Sequence, residues 1–117
     1  MHPFNYYDPK TVEEAVEVLK KFGDKAKCLA GGTDVLVQTR GERYELDAIV
    51  DVKKIPELTS VEWTSDHLII GAATPCYVLY EDPKVCEAFP GIIDSASLIG
   101  GIQIQSRASL GLSLIHI

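Results

Sequence analysis

The sequence predicts an α+β fold, and three observations carry that prediction. A run of apolar residues at helical spacing follows a capping pair, Thr11 and Glu14. Two short β-prone runs, Val61-Glu62-Trp63-Thr64 and His67-Leu68-Ile69-Ile70-Gly71, meet across Ser65-Asp66 as the arms of a hairpin do. Further helical and strand signals are interspersed with this hairpin along the chain, without an internal repeat.

Taken in order, Asn5-Tyr6-Tyr7 is a short extended segment stopped by Asp8-Pro9. The first helix follows, with Val12, Ala15, Val16 and Leu19 expected on its buried face and Gly23 as its C-terminal cap. Its early Glu13, Glu14 and Glu17 and its late Lys20 and Lys21 complement the helix dipole, and the glutamates form a solvated face. Lys25 to Ala30 reads as a strand broken by Gly31-Gly32. Thr33 or Asp34 then caps a short helix through Gln38, ending near Gly41. Ala48 to Val52 reads as a buried strand, with a turn at Ile55 to Leu58. Beyond the hairpin, Thr74-Pro75 and Asp82-Pro83 each present a cap followed by proline at the first helical position. Phe89-Pro90-Gly91 interrupts, and Ile92, Ile93, Ala96 and Ile99 mark one more helical face, closed by Gly100-Gly101.

Bulk properties narrow the function. At 117 residues and 46% hydrophobic, the chain suits one packed domain or a little less. A net charge of −6 and the lack of a Lys/Arg cluster argue against nucleic acid and against an anionic membrane surface. No apolar run approaches the length of a membrane span, and the start lacks the features of a secretory signal. Cys28, Cys76 and Cys86 are odd in number and far apart, which argues against a disulfide framework or a metal site and suits a reducing cytoplasm. The histidines, His2, His67 and His116, are too scattered for a metal site or a catalytic triad. Trp63 and Tyr44 are expected in packing, and Tyr77 and Tyr80 on one helical face in contact with the core.

One segment points to chemistry: Leu29-Ala30-Gly31-Gly32-Thr33-Asp34-Val35-Leu36. Adjacent glycines permit a sharp turn and leave no Cβ to block a ligand. The turn opens a helix, where free N–H groups suit a pyrophosphate. Thr33 offers a hydroxyl to a phosphate oxygen; Asp34 fits better as a cap or as an acceptor for a sugar hydroxyl. The segment matches neither the Walker A pattern nor G-x-G-x-x-G, so taken alone it is equally a plain strand-to-helix turn, the commoner case.

A set of ordered pieces adds to this reading. They are Phe4-x-Tyr6 with Pro9 and Thr11-x-Glu13-Glu14-Ala15; Leu29 to Asp34; Val50-Asp51-Val52 with Ile55-Pro56-Glu57-Leu58; Ile70-Gly71-Ala72-Ala73-Thr74; and Ile99 to Gly111. In this order and spacing the chain resembles the FAD-binding domain of xanthine dehydrogenase and of the medium subunits of carbon monoxide dehydrogenase and other molybdenum hydroxylases. The resemblance implies an FAD-binding domain of the carbon monoxide dehydrogenase flavoprotein, or PCMH, type. Its two subdomains would fall at about 1–55 and 56–111, with FAD in the cleft between them and a third subdomain beyond this chain. It implies that Leu29, Ala30, Gly31, Gly32, Thr33, Asp34 and Val35 hold the FAD pyrophosphate. Ser109, Leu110 and Gly111 would begin a second FAD-contacting turn, and Ile99 would lie near the flavin; Ala73 and Thr74 are weaker candidates for the same cleft. The implied partners are a small subunit with 2Fe–2S clusters and a large subunit with the molybdenum cofactor. The implied acceptors include NAD, oxygen and a quinone, and no residue of this chain is expected to act on the organic substrate.

The match breaks at Leu112 and Ser113, where the family has a second glycine and an asparagine. Residues 112–117 are therefore expected to be a non-native tail, the domain to be incomplete at its C-terminus, and the chain alone to be inactive, with Leu112 obstructing the cofactor. Two alternatives belong beside this reading: a non-redox nucleotide-binding or subunit-interaction module, and a flavin-dependent oxidase of the PCMH fold.

Overall fold

The computed structural model describes residues 2–115, with side chains through Leu112; His116, expected in the tail, lies outside the described residues. Strands β1 (Asn5–Tyr7), β2 (Ala26–Leu29) and β3 (Ala48–Asp51) form a parallel sheet in the order β1-β3-β2. Parallel neighbours need long crossovers. Here α1 (Val12–Phe22) separates β1 from β2, and α2 (Val35–Arg40) separates β2 from β3. The central strand is buried along its whole length, with Ala48, Ile49 and Val50 fully inaccessible.

The capping signals at α1 are realised. Thr11 Oγ1 accepts from the Glu14 N–H at 3.2 Å, and the Glu14 carboxylate accepts from the Lys10 N–H, one residue before the cap. Gly23 takes a positive φ of 53° and donates its N–H to the Leu19 carbonyl. Val12, Ala15, Val18 and Leu19 pack on the core that contains Val50, Val52 and Ile55. Val16, expected on that face, is exposed. At 100° per residue the buried stripe centres on Ala15, with Val18 inside one margin and Val16 outside the other.

The second half begins after a 3-10 turn at Pro56–Leu58. Strands β4 (Val61–Trp63) and β5 (Leu68–Ile70) form the expected antiparallel hairpin, with Glu62 opposite Ile69. Short helices follow: α3 (Cys76–Tyr80), α4 (Pro83–Ala88), α5 (Pro90–Ala96), α6 (Ile102–Gln105) and α7 (Leu110–Ile115).

Several local readings need correction. Pro75 is the cap residue of α3 rather than its first helical residue. The Thr74 hydroxyl does not cap α3; it is buried and donates to the Ser60 carbonyl at 3.4 Å. Asp82 does cap α4, accepting from the N–H groups of Lys84 at 3.0 Å and Val85 at 3.4 Å, with Pro83 just inside. Helix α5 takes Pro90 into its first turn, where the missing N–H costs nothing, and stops at Ala96, short of Ile99. Tyr77 and Tyr80 part company: Tyr80 packs on Cys76, Ala96 and Ala108, while Tyr77 is exposed. Trp63 sits in packing, with Phe89 on one side and the Lys84 ammonium 4.2 Å from its ring centroid.

Backbone contacts close the second half on itself, and the approach of Gly31 to Arg107 joins it to the first. The Cys76 N–H donates to the Ala108 carbonyl at 2.8 Å, and Pro75 bridges antiparallel to Ser109. Gly31 abuts Arg107 so closely that a Cβ on Gly31 would stand 2.0 Å from the Arg107 carbonyl oxygen. Gly111 meets Ala72 in the same manner, with a Cβ there falling 2.4 Å from that of Ala72. Ala73, from the second half, is buried in the cluster that holds Val50 and Ala30.

Candidate functional site

Where the halves meet, a cleft of about 340 Å3 opens. One wall is the turn Ala30 to Val35; the other is Ile99, Ile104, Ala108, Ser109 and Leu112. Thus Ala30, Gly31, Gly32, Thr33, Asp34, Val35, Ile99 and Ser109, separated by some 70 positions in part, come together on one cavity. Leu29, Leu110 and Gly111 do not line it. Leu29 is buried beneath the turn with Val35, Leu46 and Ile49, Leu110 packs beside Ala108, and Gly111 faces Ala72. Ala73 and Thr74 lie outside the cleft as well, Ala73 lining a second cavity behind the turn.

The two glycines are needed for different reasons. Gly32 adopts φ of 73°, which side chains resist, and a Cβ there would also press on Leu36. Gly31 has an ordinary φ but no space, because the Arg107 backbone occupies it. The glycine pair therefore answers first to the chain's own packing. Its consequence for a ligand lies in the amides: among the described residues, no acceptor is found for the N–H groups of Gly31, Gly32 and Thr33. Consecutive unpaired N–H groups in a turn are the donors that an anion takes up.

Asp34 stands at the cap position of α2 but does not cap through its side chain; its carboxylate accepts from Gln38 Nε2 at 2.7 and 2.6 Å. Opposite, Ser109 is only 5% exposed, and its hydroxyl has no partner among the described residues. A buried hydroxyl without a partner is uncommon, and a ligand is one of the things that completes it. Val35, Ile99, Ile104, Ala108 and Leu112 give the cleft an apolar component. Unpaired donors at the turn with apolar side chains beside them suit a ligand that combines an anionic group with an apolar surface.

Behind the turn lies a polar network that motif reading missed. The Asp51 carboxylate is buried at the end of β3 and accepts from the Tyr6 hydroxyl, from the Lys53 N–H at 2.9 Å and from Lys53 Nζ at 2.7 Å. Lys53 Nζ also donates to the Ala30 carbonyl at 2.9 Å. Burial opposes ionisation of Asp51, but the hydrogen bonds from Lys53 and Tyr6 outweigh it and hold the carboxyl below its ordinary range. The same bond to Asp51, with burial adding to it, pushes the Tyr6 phenol up to about 12. The available signal was a carboxylate ending a wholly apolar strand, with an amine two residues on. Cys28 and Cys76, read as small hydrophobes, sit in or against the core, and burial pushes both thiols up, away from nucleophilic behaviour.

Fold and cleft together define an α+β domain in which the turn after β2 and the segment from Ile99 to Leu112 line one cleft. The model of the FAD binding domain in molybdopterin dehydrogenase matches residues 2–117, and the chain belongs to that family. It is 33% identical over 113 residues to the carbon monoxide dehydrogenase medium chain of Hydrogenophaga pseudoflava, covering 97% of this chain and 39% of that one. It is 35% identical over 108 residues to a putative xanthine dehydrogenase FAD-binding subunit of Escherichia coli, covering 92% of this chain and 37% of that one. Among solved structures, the carbon monoxide dehydrogenase of H. pseudoflava that lacks the Mo-pyranopterin moiety superposes with a TM-score of 0.92 at 33% identity, over 99% of this chain and 41% of the other. The chain thus spans about two fifths of the length of these relatives. Among the described residues, no helix is long and apolar enough to cross a membrane.

Proposed function

We propose that this chain supplies the FAD-binding cleft of an electron-transfer subunit of a molybdenum hydroxylase. In this reading the N–H groups of Gly31, Gly32 and Thr33 receive the FAD pyrophosphate, Ser109 donates to the cofactor from the facing turn, and Ile99 borders the ring system. Leu29, Leu110 and Gly111 support these positions from beneath. The flavin, when bound, takes electrons singly and gives them up in pairs. The electrons come from 2Fe–2S clusters on a small partner subunit and ultimately from a molybdenum centre on a large one; the acceptor is NAD, oxygen, a quinone or another oxidant, and the setting is cytoplasmic. The chain's own task is to bind and orient the cofactor, so none of its side chains is assigned a role in substrate chemistry.

The observation that carries this reading is that the glycine turn and Ser109, whose buried hydroxyl has no partner among the described residues, line one cleft. The spread of relatives supports it. Identity is nearly equal to chains named for carbon monoxide and for xanthine dehydrogenases and is 28% to a nicotinate dehydrogenase FAD-subunit; the named substrates differ, while two of the three names carry FAD. The test is titration of the purified chain with FAD, followed by flavin fluorescence and by co-elution in gel filtration. Saturable binding, with flavin released intact on denaturation, is the expected result. Absence of binding at millimolar FAD overturns the reading for this chain and favours a subunit-interaction module; flavin retained after denaturation indicates the covalently attached oxidase type.

A further inference from the structure

We infer that Lys53 is a positioning residue that aims the Gly31 N–H into the cleft. The orientation is set at the peptide bond between Ala30 and Gly31. That unit is planar and trans, so its C=O and its N–H point in opposite directions. Lys53 Nζ holds the carbonyl end at 2.9 Å. Fixing the carbonyl fixes the N–H at the other end of the same plane, directed away from Lys53.

The placement of Lys53 makes this directional. Lys53 does not line the cleft of Ala30 to Val35; it lines the second cavity, of about 420 Å3, with Tyr77, Ser106 and Arg107. Gly31 is common to both cavities. The ammonium therefore pulls on the turn from behind, and the Gly31 N–H, which has no acceptor among the described residues, is turned toward the front. The ammonium is itself held, since Asp51 Oδ2 lies 2.7 Å away on a side chain only 5% exposed, and Tyr6 donates to that carboxylate. The anchor is thus a chain from β1 through the end of β3 to the turn after β2, and each link is a hydrogen bond to a charged group, the stronger kind.

The inference rests on the FAD reading for its ligand, a phosphate oxygen, but not for the orientation itself. The test accordingly has two arms on the full chain. The first is NMR: the Ala30 carbonyl carbon shift and the backbone order parameters of Gly31, Gly32 and Thr33. In Lys53→Met the Ala30 shift moves upfield, and the order parameters fall from about 0.85 toward 0.6 or lower. Lys53→Arg, which retains a cation with several donors, restores both. Because Lys53→Met leaves Asp51 charged and buried, the double variant Asp51→Asn/Lys53→Met is measured beside it and gives the same loss. Lys54→Met, which removes only an exposed pair with Asp8, changes neither signal. An unmoved Ala30 shift with a rigid turn in the double variant overturns the inference.

The second arm compares FAD with riboflavin, which has no phosphate. Lys53→Met and the double variant weaken FAD about tenfold, the scale of one hydrogen bond to a charged group, and leave riboflavin unchanged. Equal weakening of both, or of neither, overturns the inference even where the turn has loosened. If the unaltered chain binds no FAD, it is the proposed function that fails, and the NMR arm alone decides for or against Lys53.

Discussion

Gly31 and Arg107 touch backbone to backbone: a Cβ on Gly31 would stand 2.0 Å from the Arg107 carbonyl oxygen and 2.5 Å from its carbon. The obstruction is main chain, so no rotamer change relieves it, and Gly31→Ala has to push the second half away from the first. The expected cost is about 1–3 kcal/mol, the range for overpacking a filled site. Gly32→Ala costs about 1–2 kcal/mol through its positive φ alone. Gly91→Ala is the opposite case: Gly91 sits inside α5 with open space around its missing Cβ, so the change stabilises by about 0.5–1 kcal/mol. Urea melts of the three variants check the order, and a Gly31→Ala as stable as the parent would contradict the contact.

Ser109 separates stability from binding. Its hydroxyl is buried without a partner among the described residues, so Ser109→Ala removes a desolvation cost and is expected to raise stability by about 1 kcal/mol. The same change removes a donor facing the cleft and weakens FAD about tenfold. Thermal melts and FAD titration on one preparation read both. A variant that lost stability, or bound FAD as the parent does, would show that the hydroxyl faces something other than the cofactor.

The pH dependence of the Asp51 network has a definite sign. The folded carboxyl titrates below its unfolded value, so its contribution is complete above about pH 4 and is lost as pH falls through the folded value. Asp51→Asn flattens the acid limb of a stability-versus-pH curve. At the other end, the Tyr6 phenol is pushed up to about 12 against an ordinary 10.0, so its bond to Asp51 holds below about pH 10 and is lost between the two values. In an ultraviolet titration Tyr6 titrates late, as Tyr80 also does through its burial, and Tyr6→Phe removes one of the two late steps. Simultaneous titration of all five tyrosines would contradict the Tyr6–Asp51 bond.

Local signals survived the passage from sequence to structure where they depend on local physics. The Thr11–Glu14 and Asp82-Pro83 caps formed because a cap needs only its own first turn. The hairpin formed because both its arms and its turn are contiguous. The misreadings have a shared cause in tertiary context. Thr74 was diverted from capping by the Ser60 carbonyl, Val16 was left outside by the position of the sheet, and Tyr77 was left exposed as Tyr80 turned inward. The cleft itself was legible only through the family resemblance: nothing local to Gly31 or Ser109 says that they face one cavity. The Lys53 anchor was invisible for the same reason, since its acceptor Ala30 lies 23 residues away.

Leu112 supplies the last prediction. It stands where the family pattern has glycine, and the structure gives its side chain two roles: it packs on the core of the first half and it lines the cleft. Leu112→Gly should therefore act with opposite signs. Loss of a half-buried leucine and gain of a helical glycine in α7 together cost about 2–3 kcal/mol. The cleft widens by the volume removed and admits the cofactor's closer approach, so FAD binding tightens in the population that remains folded. Leu112→Ala separates the effects, giving most of the space without the glycine's backbone cost. Titration with FAD well below the melting temperature, with the folded fraction fixed by circular dichroism, reads the affinity. Weaker binding by a fully folded Leu112→Ala would mean that this leucine is a wall the ligand packs against rather than an obstruction in its way.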